Sequence, residues 1–472
     1  MGYGMQETDS IVEANQIQGL STDAAGDLTM SFGDIRVAQR AEWMIERIAA
    51  LGTVVVRQIG ETRAGEVAAH SFLSSPHVSV EAIVETAGAR TARQCVGRRV
   101  LAVQDTSEIN FSGRDKKRRG FGPAGDGKTP GFFIHPVIAV DIETEAVIGL
   151  IDAKIWTRSD NGKAHRRDLP FEQKESARWS WGCEAAAENL CEAASVTVVG
   201  DRESDVFPLF ARCPEPVELI VRAAHNRNLS AGGPLFEALT GSKPLGTSII
   251  RVAPRGPGEK ERTATVELRA GKVGIARPSN NRLDELPESV ELTLVEAREV
   301  DPPKGKPGIH WRLYTTYQVA SLPDANEVVQ LYRLRWRIEQ TFRSLKSDGL
   351  DLEDSQISDR ERMFNLAAMA LIAALRIIQL VDARDGSPRP AGDVIDDEFA
   401  IALQRLSKKL QGNTDRQKNP HAPGSLAFVS WIAARLGGWN CYYKPPGPKT
   451  MRTGWNRLAA ILQGYVLALE NP

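Results

Sequence analysis

The segment from Leu331 to Leu350, LYRLRWRIEQTFRSLKSDGL, constrains this chain more than any other. It places Tyr332, Arg335, Glu339 and Lys346 at separations of three, four and seven residues. At about 100° per residue, an α-helix brings all four side chains within roughly 60° of one another. Leu331, Leu334, Ile338, Phe342 and Leu345 fall on an adjacent stripe, which predicts a core-facing side. The segment therefore predicts one helix, capped by Asp324 with Glu327 three residues on. Beside its buried face it carries a carboxylate flanked by two cations and a phenol. A solvated face with i,i+4 pairs such as Arg335 to Glu339 has the same pattern, so the meaning depends on the rest of the chain.

With 472 residues, two or three domains are expected. Residues 1–27 hold Glu7, Asp9, Glu13, Asp23 and Asp27 and no Lys or Arg, and predict a poorly ordered acidic tail. A net charge of −1 for the whole chain thus becomes +4 for the remainder, a mild basicity compatible with nucleic acid. The five cysteines are odd in number, scattered and without a C-x-x-C pair, so neither a structural zinc site nor a disulfide framework is expected, in keeping with a reducing cytoplasm. No basic-then-apolar leader opens the sequence, and no secretory signal is expected. The most apolar run, Phe364 to Val381, is interrupted by Asn365, Arg376 and Gln379, which predicts a buried helix and no membrane partner.

Helical patterning runs from Asp34 to about Arg93, with an amphipathic set at Trp43, Met44, Ile45 and Ile48 and shorter segments at Val67 to Leu73 and Ser79 to Thr86, split by Pro76. Arg36, Arg40, Arg47, Arg57, Arg63, Arg90 and Arg93 are spread through this module. A DNA reader and an ordinary helical cap with a solvated face both fit it. The pattern then changes. An apolar run, Val100 to Val103, ends at Gln104-Asp105. A hairpin is expected from Phe132 to Asp141 and Ala146 to Trp156 around Ile142–Glu145. A helix over Phe171 to Ala194, a strand Val196 to Val199 ending at Gly200-Asp201, a short helix Asp205 to Ala211 and a strand Val217 to Val221 follow. This mixed α/β order matches a ribonuclease H-like sheet. A β-leaning, Gly/Pro-punctuated insertion interrupts it at about 229–307, with strands at Thr263 to Leu268 and Val290 to Val295, before Trp311 to Val319 resumes. The remainder reads as helical. Ser358 and Glu361 are expected to form a capping box ahead of Met363 to Val381, and helices are expected over Glu398 to Leu410, Leu426 to Leu436 and Trp455 to Leu469.

Asp105 and Asp201 each end a β-branched apolar run, where side chains in α/β sheets meet ligands. In a ribonuclease H-like sheet those strands are neighbours, and a helix over the sheet can add Glu339. Three oxygen donors with no His or Cys nearby in sequence select a hard cation, Mg²⁺ or Mn²⁺. Two such ions, about 3.5–4 Å apart, activate a water or 3′-hydroxyl and stabilise the leaving oxygen at phosphorus. An acid after an apolar run is also a common turn residue; the three together, in this element order, are more specific.

Tyr332-x2-Arg335-x3-Glu339-x6-Lys346 resembles the Y-x2-R-x3-E-x6-K signature of the bacterial DDE transposases of the insertion-sequence-four family. Val199-Gly-Asp201-Arg202-Glu203-Ser-Asp205 is similar to that family's second-aspartate motif and Asp105-Thr-Ser to its first. The stretch from Pro170 to Trp179 and the loop Pro446-Gly-Pro-Lys449 also resemble family segments. The resemblance implies an α/β fold, a ribonuclease H-like catalytic domain over 95–358 with a β-rich insertion. It implies a helical transposon-end-binding domain over 28–94 and a helical dimerisation domain over 359–472. It implies cut-and-paste transposition of double-stranded DNA by a cytoplasmic homodimer in a synaptic complex: nicking at inverted-repeat ends, hairpin formation and opening, and strand transfer into target DNA. By motif position, Asp105, Asp201 and Glu339 become ligands of two Mg²⁺ ions, with Mn²⁺ as substitute. Tyr332, Arg335 and Lys346 become contacts to the DNA backbone, and Arg222 a further DNA-contacting arginine. Trp311 and Trp336 resemble tryptophans that receive or wedge out a flipped base, where stacking is worth about 1–3 kcal/mol per base. Core tryptophans fit both positions as well.

Arg114, Lys116, Lys117, Arg118 and Arg119 form a dense basic run after Asp105 that suits either DNA phosphates or a solvated loop. His135, His165 and His310 lack ligand spacing and are expected to be structural. Two rivals remain: a related nuclease without strand transfer, and a catalytically idle DNA-binding inhibitor or domesticated regulator. The presence of all three acids and of the Tyr/Arg/Lys set argues against the idle reading.

Overall fold

The computed structural model describes residues 32–111, 118, 120–125, 127–158, 169–252, 262–279, 285–305, 307–346, 349–395 and 397–470. The acidic tail at 1–27 lies outside them, as do His165 and all of the basic run but Arg118. The N-terminal part is helical: α1 (Ile35–Leu51), a short α2 (Val56–Gly60), α3 (Arg63–Leu73) and α4 (Val80–Cys95). Side chains of Asp34, Thr62 and Ser79 accept a first-turn N–H and start α1, α3 and α4. In α1, Met44, Ile45 and Ile48 are buried as their spacing predicts.

Strands β1 (Arg99–Gln104), β2 (Ser107–Asn110), β3 (Gly122–Ala124), β4 (Thr129–Asp141) and β5 (Val147–Trp156) follow, with β4 and β5 paired as the expected hairpin. Helix α5 (Arg178–Asn189) is shorter than the 171–194 expected, because two 3₁₀ turns separated by an extended Lys174 precede it. Next come β6 (Ser195–Gly200), α6 (Phe207–Ala211), β7 (Glu218–Arg222), β8 (Gly246–Val252), β9 (Arg262–Ala276), β10 (Ser289–Glu299) and β11 (His310–Thr315). All the strands join one mixed sheet in the order β2-β4-β1-β6-β7-β11-β10-β9-β8, with β3 and β5 also on β4. Within it, β5, β4 and β1 are antiparallel neighbours, and β1, β6 and β7 run parallel. That five-strand order is consistent with a ribonuclease H-like sheet. The insertion does not stand apart: its strands β8 to β10 extend the same sheet through β11.

Alternation along the strands divides the interior in two. Leu101, Val103 and Val199 face one core, and Val100, Ala102, Val196 and Val198 the other. Both faces of β1 and β6 are covered, which is why those strands read as continuous apolar runs. The second core lies under α5 and α6.

The organising segment is two helices, not one: α7 (Leu322–Arg333) and α8 (Trp336–Lys346). At the break Leu334 and Arg335 donate to Leu331 and Tyr332, and Arg337 and Ile338 donate to Leu334 and Arg335. These three-residue bonds tighten the chain into a 3₁₀ turn, so the uniform 100° projection fails there. The start also differs. Ser321, not Asp324, is the cap, and Asp324 closes a capping box from the third helical position. The apolar stripe holds: Leu331, Leu334, Ile338 and Leu345 are buried and Phe342 packs partly buried against the same core.

Four helices end the chain: α9 (Arg360–Ala383), α10 (Ala400–Leu410), α11 (Leu426–Leu436) and α12 (Pro448–Glu470). Asp359, not the Ser358/Glu361 box, caps α9. By length and composition α9 could cross a membrane, but 83% of its most apolar window is buried inside the fold. It packs against β5, α1, α8, α11 and α12, and α1 also meets α12. N-terminal and C-terminal helices therefore share one core with a face of the sheet.

Candidate active site

β1 and β6 pair in parallel with Val103 opposite Val199, so Asp105 and Asp201, each two residues further on, leave the sheet level with one another. Asp105 Oδ1 accepts the N–H of Thr106 at 2.7 Å. Asp201 caps a 3₁₀ turn, and its Oδ1 accepts the N–H of Glu203 at 2.8 Å. Gly200 is required for that turn, since a Cβ there would lie 2.3 Å from Ser204 Oγ. Glu339 comes from α8, whose break from α7 sets Arg335 at the junction. Arg335 donates from Nη1 to Asp105 Oδ2 at 2.9 Å and from Nη2 to Glu339 Oε1 at 2.6 Å.

Asp105 and Glu339 both feel the charge of Asp201. Burial, then the charge of Asp201, pushes the Asp105 carboxyl up to about 7 despite Arg335. Burial also raises Glu339; Arg335 opposes the shift and Asp201 adds to it. Among the described residues no group of three or more His, Cys, Asp or Glu side chains is already gathered for a metal ion. Arg335 stands between two of the acids instead. The donor set still suits a hard cation. It offers only oxygen ligands, and burial together with the neighbouring Asp201 disfavours charge on Asp105 and Glu339 until a cation is present.

Tyr332 is buried at 5% exposure, and its ring meets Trp311 edge-on at 5.2 Å. Burial raises the Tyr332 phenol, with Arg335 and Arg222 opposing. Arg222, last residue of β7, lies beside that phenol, and burial lowers its guanidinium. Lys346 ends α8 two turns beyond Glu339 on the same face. Trp336 opens α8 half-buried. Among the described residues neither Lys346 nor Trp336 bonds to the three acids. Direct contacts thus join Asp105, Arg335 and Glu339, and separately Tyr332 with Trp311; electrostatics ties in Asp201 and Arg222. Arg118, in the basic run, donates to the carbonyls of Ile357 at 3.0 Å and Ser355, and its guanidinium stacks over Phe111. That arginine binds its loop to the segment before α9. His310 pairs with Glu296 at 2.8 Å, away from the acids.

One further residue belongs to the site. Arg178, first residue of α5, reaches the loops after both aspartates. The sequence carries no signal for this role, because the expected helix over 171–194 hides the start of α5 at Arg178, where a cation in the first turn opposes the helix dipole.

The α/β sheet thus sets two aspartates level on neighbouring parallel strands, with a glutamate of α8 tied to the first through Arg335. Residues 105–376, more than half of the chain, match the family described as Transposase DDE domain. The chain belongs to the DDE transposases, a family of DNA-processing enzymes that generally use divalent metal ions.

Proposed function

We propose that the chain is a cut-and-paste transposase of the insertion-sequence-four kind, acting on double-stranded inverted-repeat ends as a homodimer. The observation that carries this reading is the level exit of Asp105 and Asp201 from β1 and β6, with Asp105 joined through Arg335 to Glu339. Asp105, Asp201 and Glu339 would hold two Mg²⁺ ions, with Mn²⁺ as substitute. When bound, the ions activate the attacking oxygen and offset charge on the leaving one. The chain's own residues position the DNA. Arg335 has two partners to exchange: in the free protein it holds Asp105 and Glu339, and with DNA present it holds a backbone phosphate. Arg222 and Lys346 add cations, and the Tyr332 hydroxyl donates to the strand. Trp311 and Trp336 offer aromatic faces to a base displaced as a hairpin forms. Asp105 must lose its proton to serve as a ligand, so metal uptake strengthens as pH rises. The helices of 28–94 would read the transposon ends and those of 359–472 would pair two subunits.

The test is a cleavage assay on a duplex carrying the inverted repeats that flank the gene, with Mg²⁺ or EDTA, resolved on a denaturing gel. Mg²⁺-dependent nicks at the repeat boundary and a double-length denatured band are expected. Binding without cleavage in Mg²⁺ or Mn²⁺ contradicts the proposal and favours an idle DNA-binding protein.

A further inference from the structure

Asp105 and Asp201 leave different strands, yet each carboxylate is held in the same way, by an N–H one or two residues on. The two residues that supply those N–H groups, Thr106 and Glu203, meet at a single guanidinium. Arg178 donates from Nε to Thr106 Oγ1 at 2.7 Å and from Nη2 to Glu203 Oε2 at 2.7 Å. Its Nη1 is anchored on the carbonyl of Glu175, also at 2.7 Å.

Behind Thr106 the bonding closes on itself. Arginine only donates, so Thr106 Oγ1 accepts from Arg178 and its own hydrogen faces His135 Nδ1 at 2.9 Å. Gln104 Nε2 donates to the carbonyl of Trp179 at 3.2 Å, which turns Gln104 Oε1 toward His135 Nε2 at 3.1 Å. An amide oxygen only accepts, so His135 carries its hydrogen on Nε2 and accepts at Nδ1. Trp179 follows Arg178 in α5, and the ring of bonds is complete. α5 comes this close because residue 182 is glycine: a Cβ there would lie 2.2 Å from Gln104 Oε1. His135 is wholly buried, with its edge against Trp179 at 4.9 Å.

We infer that Arg178, Thr106 and His135 are positioning residues. The ring they form with Gln104 and Trp179 fixes the distance between the Asp105 and Asp201 carboxylates. The inference rests on the reading of those two aspartates as catalytic acids. In a connected hydrogen-bond network each bond supports the next, and catalytic groups lose rate steeply when displaced by about 1 Å.

Glu203 is exposed, so the Thr106 side of the ring is the one to test. Thr106→Val keeps the shape and removes the hydroxyl, whereas Thr106→Ser keeps the hydroxyl. Two readouts decide the matter. In ¹⁵N NMR of histidine-labelled full-length protein, wild type and Thr106→Ser show His135 protonated on Nε2 with Nδ1 accepting a hydrogen bond. In Thr106→Val the Nδ1 signal moves and the Nε2 hydrogen stays. In single-turnover cleavage of end DNA, Thr106→Val is about 10–100-fold slower with unchanged DNA Kd, and Thr106→Ser stays within about threefold of wild type. An Nδ1–H tautomer in wild type overturns the ring. Wild-type cleavage by Thr106→Val alongside a shifted His135 signal overturns its positioning role. A wild-type protein that cuts nothing fails the transposase reading instead, and the histidine signals still decide whether the ring exists.

Discussion

Two arginines in this molecule, one buried and one partly buried, each bridge two carboxylates, and they do opposite things. Arg376 on α9 pairs with Glu42 and Glu46 of α1, where N-terminal and C-terminal helices meet. Arg335 pairs with Asp105 and Glu339 at the strand ends. At the helical seam burial works against the Glu42 carboxylate, but Arg376 and Arg90 hold it below its usual range. At the strand ends burial and Asp201 win, and Asp105 is pushed up to about 7. The difference is the balance of charge: the seam sets Arg376 and Arg90 beside Glu42, whereas the strand ends set a further acid, Asp201, level with Asp105 on the parallel neighbour strand. A matched pair of charges makes a structural joint. A surplus of negative charge on three separate elements makes a place for a cation.

The largest predicted effect separates the two regions by kind. Asp201→Asn lowers single-turnover DNA cleavage about 10³-fold with little change in the urea midpoint. Arg376→Ala takes the main cation from two partly buried carboxylates and costs about 3–5 kcal/mol of stability by urea denaturation, while protein that remains folded cleaves normally. If both substitutions act mainly on stability, the contrast fails.

Two smaller effects use pH. Asp105 ionises at about 7 in the folded chain against 3.8 ordinarily, so between those values the native state binds the extra proton. Stability therefore falls as pH rises through that window. In EDTA, Asp105→Asn is expected to raise the melting temperature at pH 8 by the equivalent of about 1–4 kcal/mol, with the gain gone near pH 4. A variant no more stable than wild type at pH 8 would place Asp105 with Glu42 after all. Glu42 has the opposite sign. Its folded carboxyl is depressed, so its contribution is present above the ordinary 4.5 and is lost as pH falls through the folded value. Glu42→Gln should cost about 1.5–3 kcal/mol at pH 8 and progressively less on acidification, as measured by melting at both ends of the range.

Much of this contrast can be read in the sequence. The apolar runs before Asp105 and Asp201 are β1 and β6, and their continuous hydrophobicity reflects two covered faces. The hairpin turn at 142–145 and the start of α11 at Leu426 are also legible from local pattern. The break between α7 and α8 is not, because no proline or glycine marks it; the 3₁₀ turn has no local signature. Pro323 in the first turn points to Ser321 as the cap, a cue that competes in the sequence with Asp324 and Glu327. The ring around His135 links residues up to 75 apart in the chain. Such bonds depend on sheet register and helix approach, which periodicity does not encode.

The central claim is that Asp105, Asp201 and Glu339 act together as a surplus of negative charge that takes up divalent ions. Calorimetric titration of Mn²⁺ into wild type and Glu339→Gln, each with end DNA bound, tests it most directly. The predicted result is binding by wild type and at least about tenfold weaker binding by Glu339→Gln. Equal affinity in the two proteins would contradict the claim and return Glu339 to the role that Glu42 and Glu46 have at the helical seam.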